Sequence, residues 1–122
     1  MAHNFRDLEV WKRAMAVAKK VYVITRQFPK EEKFGMTSQI QRAAVSIASN
    51  IAEGAGRGTN KDFVHFLSMA LGSAFEVETQ LIISKELCYV EENDDYKNIM
   101  EGLHSIQPQL NVLMKKYSDI EK

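Results

Sequence analysis

Two acid–histidine pairs stand at helical spacing, Asp62-x-x-His65 and Glu101-x-x-His104, the pattern with which helix bundles hold a pair of metal ions. Such a site needs every donor to point into the core. His65, Glu101 and His104 instead fall outside the apolar stripes of their helices. In an antiparallel pair, Asp62 would also lie about 20 residues, or roughly 30 Å, from the level of Glu101. These groups read as solvated side chains, and neither a metal nor another cofactor is expected. Cys88 stands alone, which leaves no internal disulfide and no cysteine metal site, and its position falls on the core stripe of the third helix. His3 is expected in a mobile terminus. No Ser/His/Asp or Cys/His set can be placed on neighbouring core positions, so no enzymatic activity is expected.

Two features invite anion chemistry. The run from Gly54 to Lys61 holds three glycines, Arg57 and Lys61 ahead of a helix start, where backbone amides can meet a phosphate. A nucleotide loop, however, has the order G-x-x-x-x-G-K-[ST] between a strand and a helix, and here the order differs and a helix precedes. The segment reads first as a tight helix-to-helix corner built by Asn50, Glu53, Gly54, Gly56 and Arg57, with glycines supplying positive backbone angles. Glu53 opposes the dipole at the end of its helix, so it needs a partner such as Arg57. The second feature is a basic strip of Lys12, Arg13, Lys19, Lys20 and Arg26 on adjacent outward positions of the first helix, able to follow a phosphate backbone; Arg57 and Lys61 join it as candidate nucleic-acid contacts. No RNA-recognition sheet motif, zinc knuckle or recognition helix is present, so binding would read charge and shape.

The elements that position these groups follow from periodicity. Leu8, Trp11, Met15, Ala18, Tyr22 and Thr25 form a first seam on helix 1, which ends before Pro29. Helix 2 starts at Thr37 or Ser38, carries Ile40, Ala44, Ile47 and Ile51 on one face, and runs to about Glu53. Thr59 caps helix 3 in a box with Asp62. Phe63, Leu67, Ala70, Ala74, Val77, Leu81, Ser84 and Cys88 then keep one heptad phase. Asn93 caps helix 4, whose seam runs from Tyr96 to Tyr117 and meets Pro108, where a kink is expected. Four such helices with short connections predict an all-α, antiparallel up-down four-helix bundle in a single domain over residues 1–122.

Helix 1 carries a second apolar stripe, Val10, Ala14, Val17, Val21, Ile24 and Phe28, and helix 3 repeats the pattern with Val64, Leu71, Phe75 and Ile82. A four-helix chain has no middle helix to bury two faces, so Val10, Val17, Val21, Ile24, Val64, Leu71, Phe75 and Ile82 are the expected interface of a homo-oligomer, the alternative being a broad intramolecular face.

The segment from Ser46 to Gly58, with Phe5 to Trp11, Phe28 to Glu32, Ala70 to Ser73 and Glu76 to Leu81, resembles the bacterial four-helix-bundle family named after the 23S rRNA intervening-sequence protein, over nearly the whole chain. The resemblance implies a subunit of a ring-shaped homo-oligomer, best known as a homopentamer, and a kinship with the nucleic-acid-binding accessory variability determinant of diversity-generating retroelements. One departure is Ala48, where relatives usually carry proline; helix 2 is expected to be straighter for its lack.

Composition bounds the remainder. The 122 residues are 45% hydrophobic with two prolines, and no polar linker divides them. There is no signal-peptide pattern and no uninterrupted apolar run of bilayer length, so a cytoplasmic protein without membrane contact is expected. The formal net charge is zero, yet residues 1–61 hold eleven Lys and Arg against five Asp and Glu, and residues 62–122 the reverse, giving +6 and −6. Such a dipolar subunit suits head-to-tail packing. A pI of about 6.8 stands against a dedicated nucleic-acid binder. Two functions follow: a homo-oligomeric protein that binds RNA or other nucleic acid, or a scaffold for another polypeptide.

Overall fold

The structure, a computed structural model, describes residues 3–120 and the side chains of residues 3–118. Within them the chain forms α1 (Glu9–Ile24), α2 (Met36–Ala55), α3 (Asn60–Glu86) and α4 (Asp94–Ile120), with short 3-10 turns before α1 and between α1 and α2, and no strand. The outermost residues of the expected domain, 1–2 and 121–122, lie outside the described ones.

Helices α2, α3 and α4 start where a side chain satisfies a free amide, whereas α1 starts after Leu8 without a side-chain cap. Asn4 Oδ1 accepts from the Arg6 amide in the turn that leads into α1. The Glu32 carboxylate accepts the Met36 N–H at 2.8 Å and opens α2 one residue before the expected start. Thr59 accepts from Asp62 N–H and Asn93 from Tyr96 N–H, both at 3.1 Å, as the capping pattern predicts. α1 tightens into the 3-10 turn Thr25–Gln27 just before Pro29. There Thr25 Oγ1 donates to the Tyr22 carbonyl and accepts from Gln41, which ties the end of α1 to α2.

The helices pack in ring order, α2 against α1 and α3, α4 against α3 and α1. All neighbours are antiparallel. Arg13 meets Ser105, Ser46 meets Ser73, His104 meets Glu78, and Phe63 meets Tyr117, so the numbering rises on one helix as it falls on the next. Ile40, Ala44, Ile47 and Ile51 of α2 are fully buried, as are Phe63, Leu67, Ala70, Ala74, Val77 and Leu81 of α3 and Ile99, Leu103, Ile106 and Leu110 of α4.

On α1 the second apolar stripe is the main core face, and of the first seam only Ala18 and Thr25 are buried. Val10, Ala14, Val17, Val21, Ile24 and Phe28 are the buried core stripe, whereas Trp11 and Met15 are half-buried and Tyr22 is 47% exposed. Val10, Val17, Val21 and Ile24 are therefore corrected from oligomer interface to intramolecular core. The reason is steric. A Cβ built on Gly102 of α4 would sit 2.6 Å from Val17 Cγ2, so α1 and α4 approach too closely for aromatic rings between them.

Two further expectations are corrected at helix ends. Cys88 is not in the core: α3 stops at Glu86, and Cys88 is exposed with a left-handed φ of 63°. Its N–H donates to the Lys85 carbonyl and that of Tyr89 to the Ser84 carbonyl, both at 2.9 Å, the paired hydrogen bonds of a Schellman cap. His3 is not set apart from the fold. It stacks on Phe63 at 4.7 Å, meets Tyr117 edge-on at 4.9 Å, and its N–H bonds to the Ala55 carbonyl. α4 runs through Pro108 as one helix, although Pro108 has no N–H to offer the His104 carbonyl.

Candidate functional site

The corner after α2 gathers Glu53, Gly54 and Arg57. The Arg57 guanidinium bonds Glu53 Oε2 at 2.7 Å and lies over the Phe66 ring at 4.7 Å, which offsets the unfavourable charge of Glu53 at a helix C-terminus. The glycines serve differently from expectation. None in the described residues has positive φ, and Gly56 is an ordinary right-handed cap. Gly54 is needed for contact: a Cβ there would stand 2.6 Å from Phe66 Cβ and 3.2 Å from Phe63 Cδ1. Asn50 lies one turn away from the corner and donates to Ser46, whose hydroxyl meets Ser73 of α3 at 2.9 Å. The corner is thus a clamp between α2 and α3.

The basic strip separates into two rows. At 100° per residue, Lys12, Lys19 and Arg26 fall within about 40° of one another, while Arg13 and Lys20 lie about 100° away. Lys19 and Arg26 border α2; Arg13 and Lys20 border α4 beside Glu101. Arg13 is engaged, donating to Ser105 at 2.8 Å with Glu9 at 3.7 Å. Lys12, Lys19, Lys20 and Arg26 are exposed and have no ion pair among the described residues. Arg57 is committed to Glu53, and Lys61 is exposed at the first turn of α3. The seven cations thus do not form a single surface.

Between α1 and α2 lies an apolar groove of about 580 Å³ that the sequence pattern did not foretell. Trp11, Met15, Tyr22, Val23, Val45 and Ala52 line it, and its charged members are Lys19 and Arg26. The signal that could have revealed it is the bulk of Trp11, Met15 and Tyr22 on one stripe of α1 against the compact Val, Ala and Ile of the other. A second apolar surface is the outward face of α3, with Phe75 50%, Ile82 44% and Ile83 41% exposed beside the exposed Glu76 and Glu86. Val64 and Leu71 are partly buried against the core. Over an 18-residue window α3 is apolar and long enough to cross a membrane by composition alone, closer to such a span than expected, yet only 33% of that window is buried in the bundle.

The remaining titratable groups pair between elements. Glu78 accepts from Gln107 Nε2 at 2.7 Å and meets His104 Nε2 at 2.9 Å, and these bonds hold its carboxyl below the usual range. Glu32 is lowered first by the Met36 amide and then by the Tyr89 hydroxyl, which donates to it at 2.9 Å. Lys85 bonds Glu92 at 2.8 Å, raising the ammonium and lowering the carboxyl. Burial lowers His3. The Glu101-x-x-His104 pair faces no second donor set, since His104 goes to Glu78, and no group of three His, Cys, Asp or Glu gathers among the described residues.

Comparison with known proteins places this geometry in a family context. The sequence model of a family described as "23S rRNA-intervening sequence protein" matches residues 6–112. Among solved structures, the chain is similar to a protein of unknown function from the S23 ribosomal protein family of Bacteroides thetaiotaomicron. The two are 27% identical with a TM-score of 0.78, over 87% of this chain and 98% of that one. No curated protein matches.

Proposed function

Because the chain belongs to the 23S rRNA-intervening sequence protein family, we propose that it is a non-enzymatic, cytoplasmic homo-oligomer that associates with structured RNA. The observation that carries the oligomer is the apolar groove between α1 and α2, together with Phe75 and Ile82 on α3: a chain of this size leaves open the surface that a second copy would cover. Five subunits in a ring is the number that the family resemblance implies. The RNA half rests on the family's name and on the solvent-facing Lys12 and Lys20. Contacts of this kind neutralise phosphates without reading bases. The non-enzymatic half is supported by the engagement of Glu53, Glu78 and Glu32 in helix-to-helix and cap contacts.

A second reading, a scaffold for another polypeptide, is favoured by the apolar character of the same groove and by the zero formal charge. Titrating a structured ribosomal RNA fragment against rising salt separates the two. RNA association predicts that affinity falls steeply with salt. Lys12→Glu with Lys20→Glu should then weaken binding to unrelated RNAs and reduce the log–log slope by about 0.7 to 0.9 for each phosphate no longer neutralised. A protein scaffold predicts no RNA binding at low salt.

A further inference from the structure

We infer that the groove between α1 and α2 receives the outward face of α3 from a second copy of this chain, an inference that rests on the oligomer reading above. Both surfaces are apolar and exposed within one chain. The groove offers Tyr22, Val23 and Val45 at its mouth, 47%, 43% and 42% exposed, and α3 offers Phe75, Ile82 and Ile83.

Charge decides how they meet. The charged residues lining the groove are Lys19 and Arg26, and Lys12 continues their row. The exposed face of α3 carries Glu76 and Glu86, while Lys85 is turned to Glu92. Lys19 and Arg26 are separated by about 10 Å along their helix and Glu76 and Glu86 by about 15 Å, so the two charged edges are of similar length. A symmetric groove-to-groove contact would set two basic rows against each other, and an α3-to-α3 contact two acidic ones; like charges facing each other across an interface are unfavourable. The opposite-charge arrangement is groove against α3. RNA fits the groove less well, because phosphates gain nothing from the aliphatic Val23 and Val45 at its mouth.

The two surfaces share no residue, so one copy can offer its groove to one neighbour and its α3 to another. A heterologous contact of this kind propagates from copy to copy, and it closes into a ring where the rotation between neighbours divides a full turn evenly. Lys19 and Arg26 are then covered in the assembly, and Lys20 on the α4 side remains open for phosphate.

The test is mass by light scattering on the full chain, with circular dichroism confirming helix content. Lys19→Glu with Arg26→Glu should reduce the wild-type assembly to the 13.9 kDa chain, and so should Glu76→Lys with Glu86→Lys. All four substitutions in one chain should restore the wild-type mass, since every contact again pairs opposite charges. A readout that leaves the charges intact is oxidation of Tyr22→Cys chains mixed with Phe75→Cys chains, both in a Cys88→Ser background. The mixture should give disulfide-linked dimers and each chain alone should not. An oligomeric wild type whose mass survives Glu76→Lys with Glu86→Lys, or a mixture that fails to cross-link, overturns the docking and leaves the oligomer reading standing. A monomeric wild type overturns both.

Discussion

Cys88 holds a left-handed φ of 63° at the position of the α3 cap that most often belongs to glycine. A side chain in this region costs about 1–2 kcal/mol, so Cys88→Gly is expected to stabilise the chain by about 1 kcal/mol after the extra freedom of the unfolded glycine is set against it. Urea unfolding measures this. Gly54 shows the opposite logic. Its added methyl would meet Phe66 Cβ, an atom fixed to the α3 backbone, and Gly54→Ala is expected to destabilise by about 1–3 kcal/mol through overpacking. Neither role was legible in the sequence, because Cys88 continues an apolar heptad by type and the Gly54 run resembles a turn. In both cases backbone geometry overrides the residue pattern.

The four helices and their caps at Thr59 and Asn93 were readable because capping and periodicity are local. The core face of α1 was not readable in the same way. Two apolar stripes satisfy a helix period equally, and only the close approach of α1 to Gly102 on α4 selects the slender one. Ile24→Ala, on the buried stripe, is therefore expected to cost about 2–5 kcal/mol. Tyr22→Ala, on the groove stripe, is expected to change the stability of the folded chain by about 0.5 kcal/mol or less while weakening assembly. Parallel urea melts and mass measurements check the contrast. Between elements, Glu32 fastens the start of α2 to Tyr89 beyond the end of α3, and Glu78 fastens α3 to α4. Both carboxyls, with Glu92, are held below their ordinary range. A lowered carboxylate pKa contributes stability that is present above the ordinary value near pH 4.3 and is lost as pH falls through the folded value. The melting temperature should therefore fall as pH drops below about 4.5, and Glu32→Gln with Glu78→Gln should flatten that fall. A melting temperature whose acid dependence is the same in the double variant would refute this assignment.

The division of the chain into a +6 and a −6 half was visible in the sequence, but the places where charge borders apolar surface were not, since they depend on how α1 meets α2 and on which face α3 turns outward. In the proposed docking their combination makes each subunit complementary to its own copy, and the same surface holds part of the basic strip that the sequence pattern suggests as a phosphate path. The proposal divides assembly and RNA contact between different residues, Lys19 and Arg26 for the former and Lys20 for the latter. The central claim is the assembly itself. Light scattering of the purified chain at micromolar concentration is predicted to give a multiple of 13.9 kDa, near five chains, that shifts toward smaller species when Lys19 and Arg26 are reversed. A mass of one chain at that concentration would contradict the account.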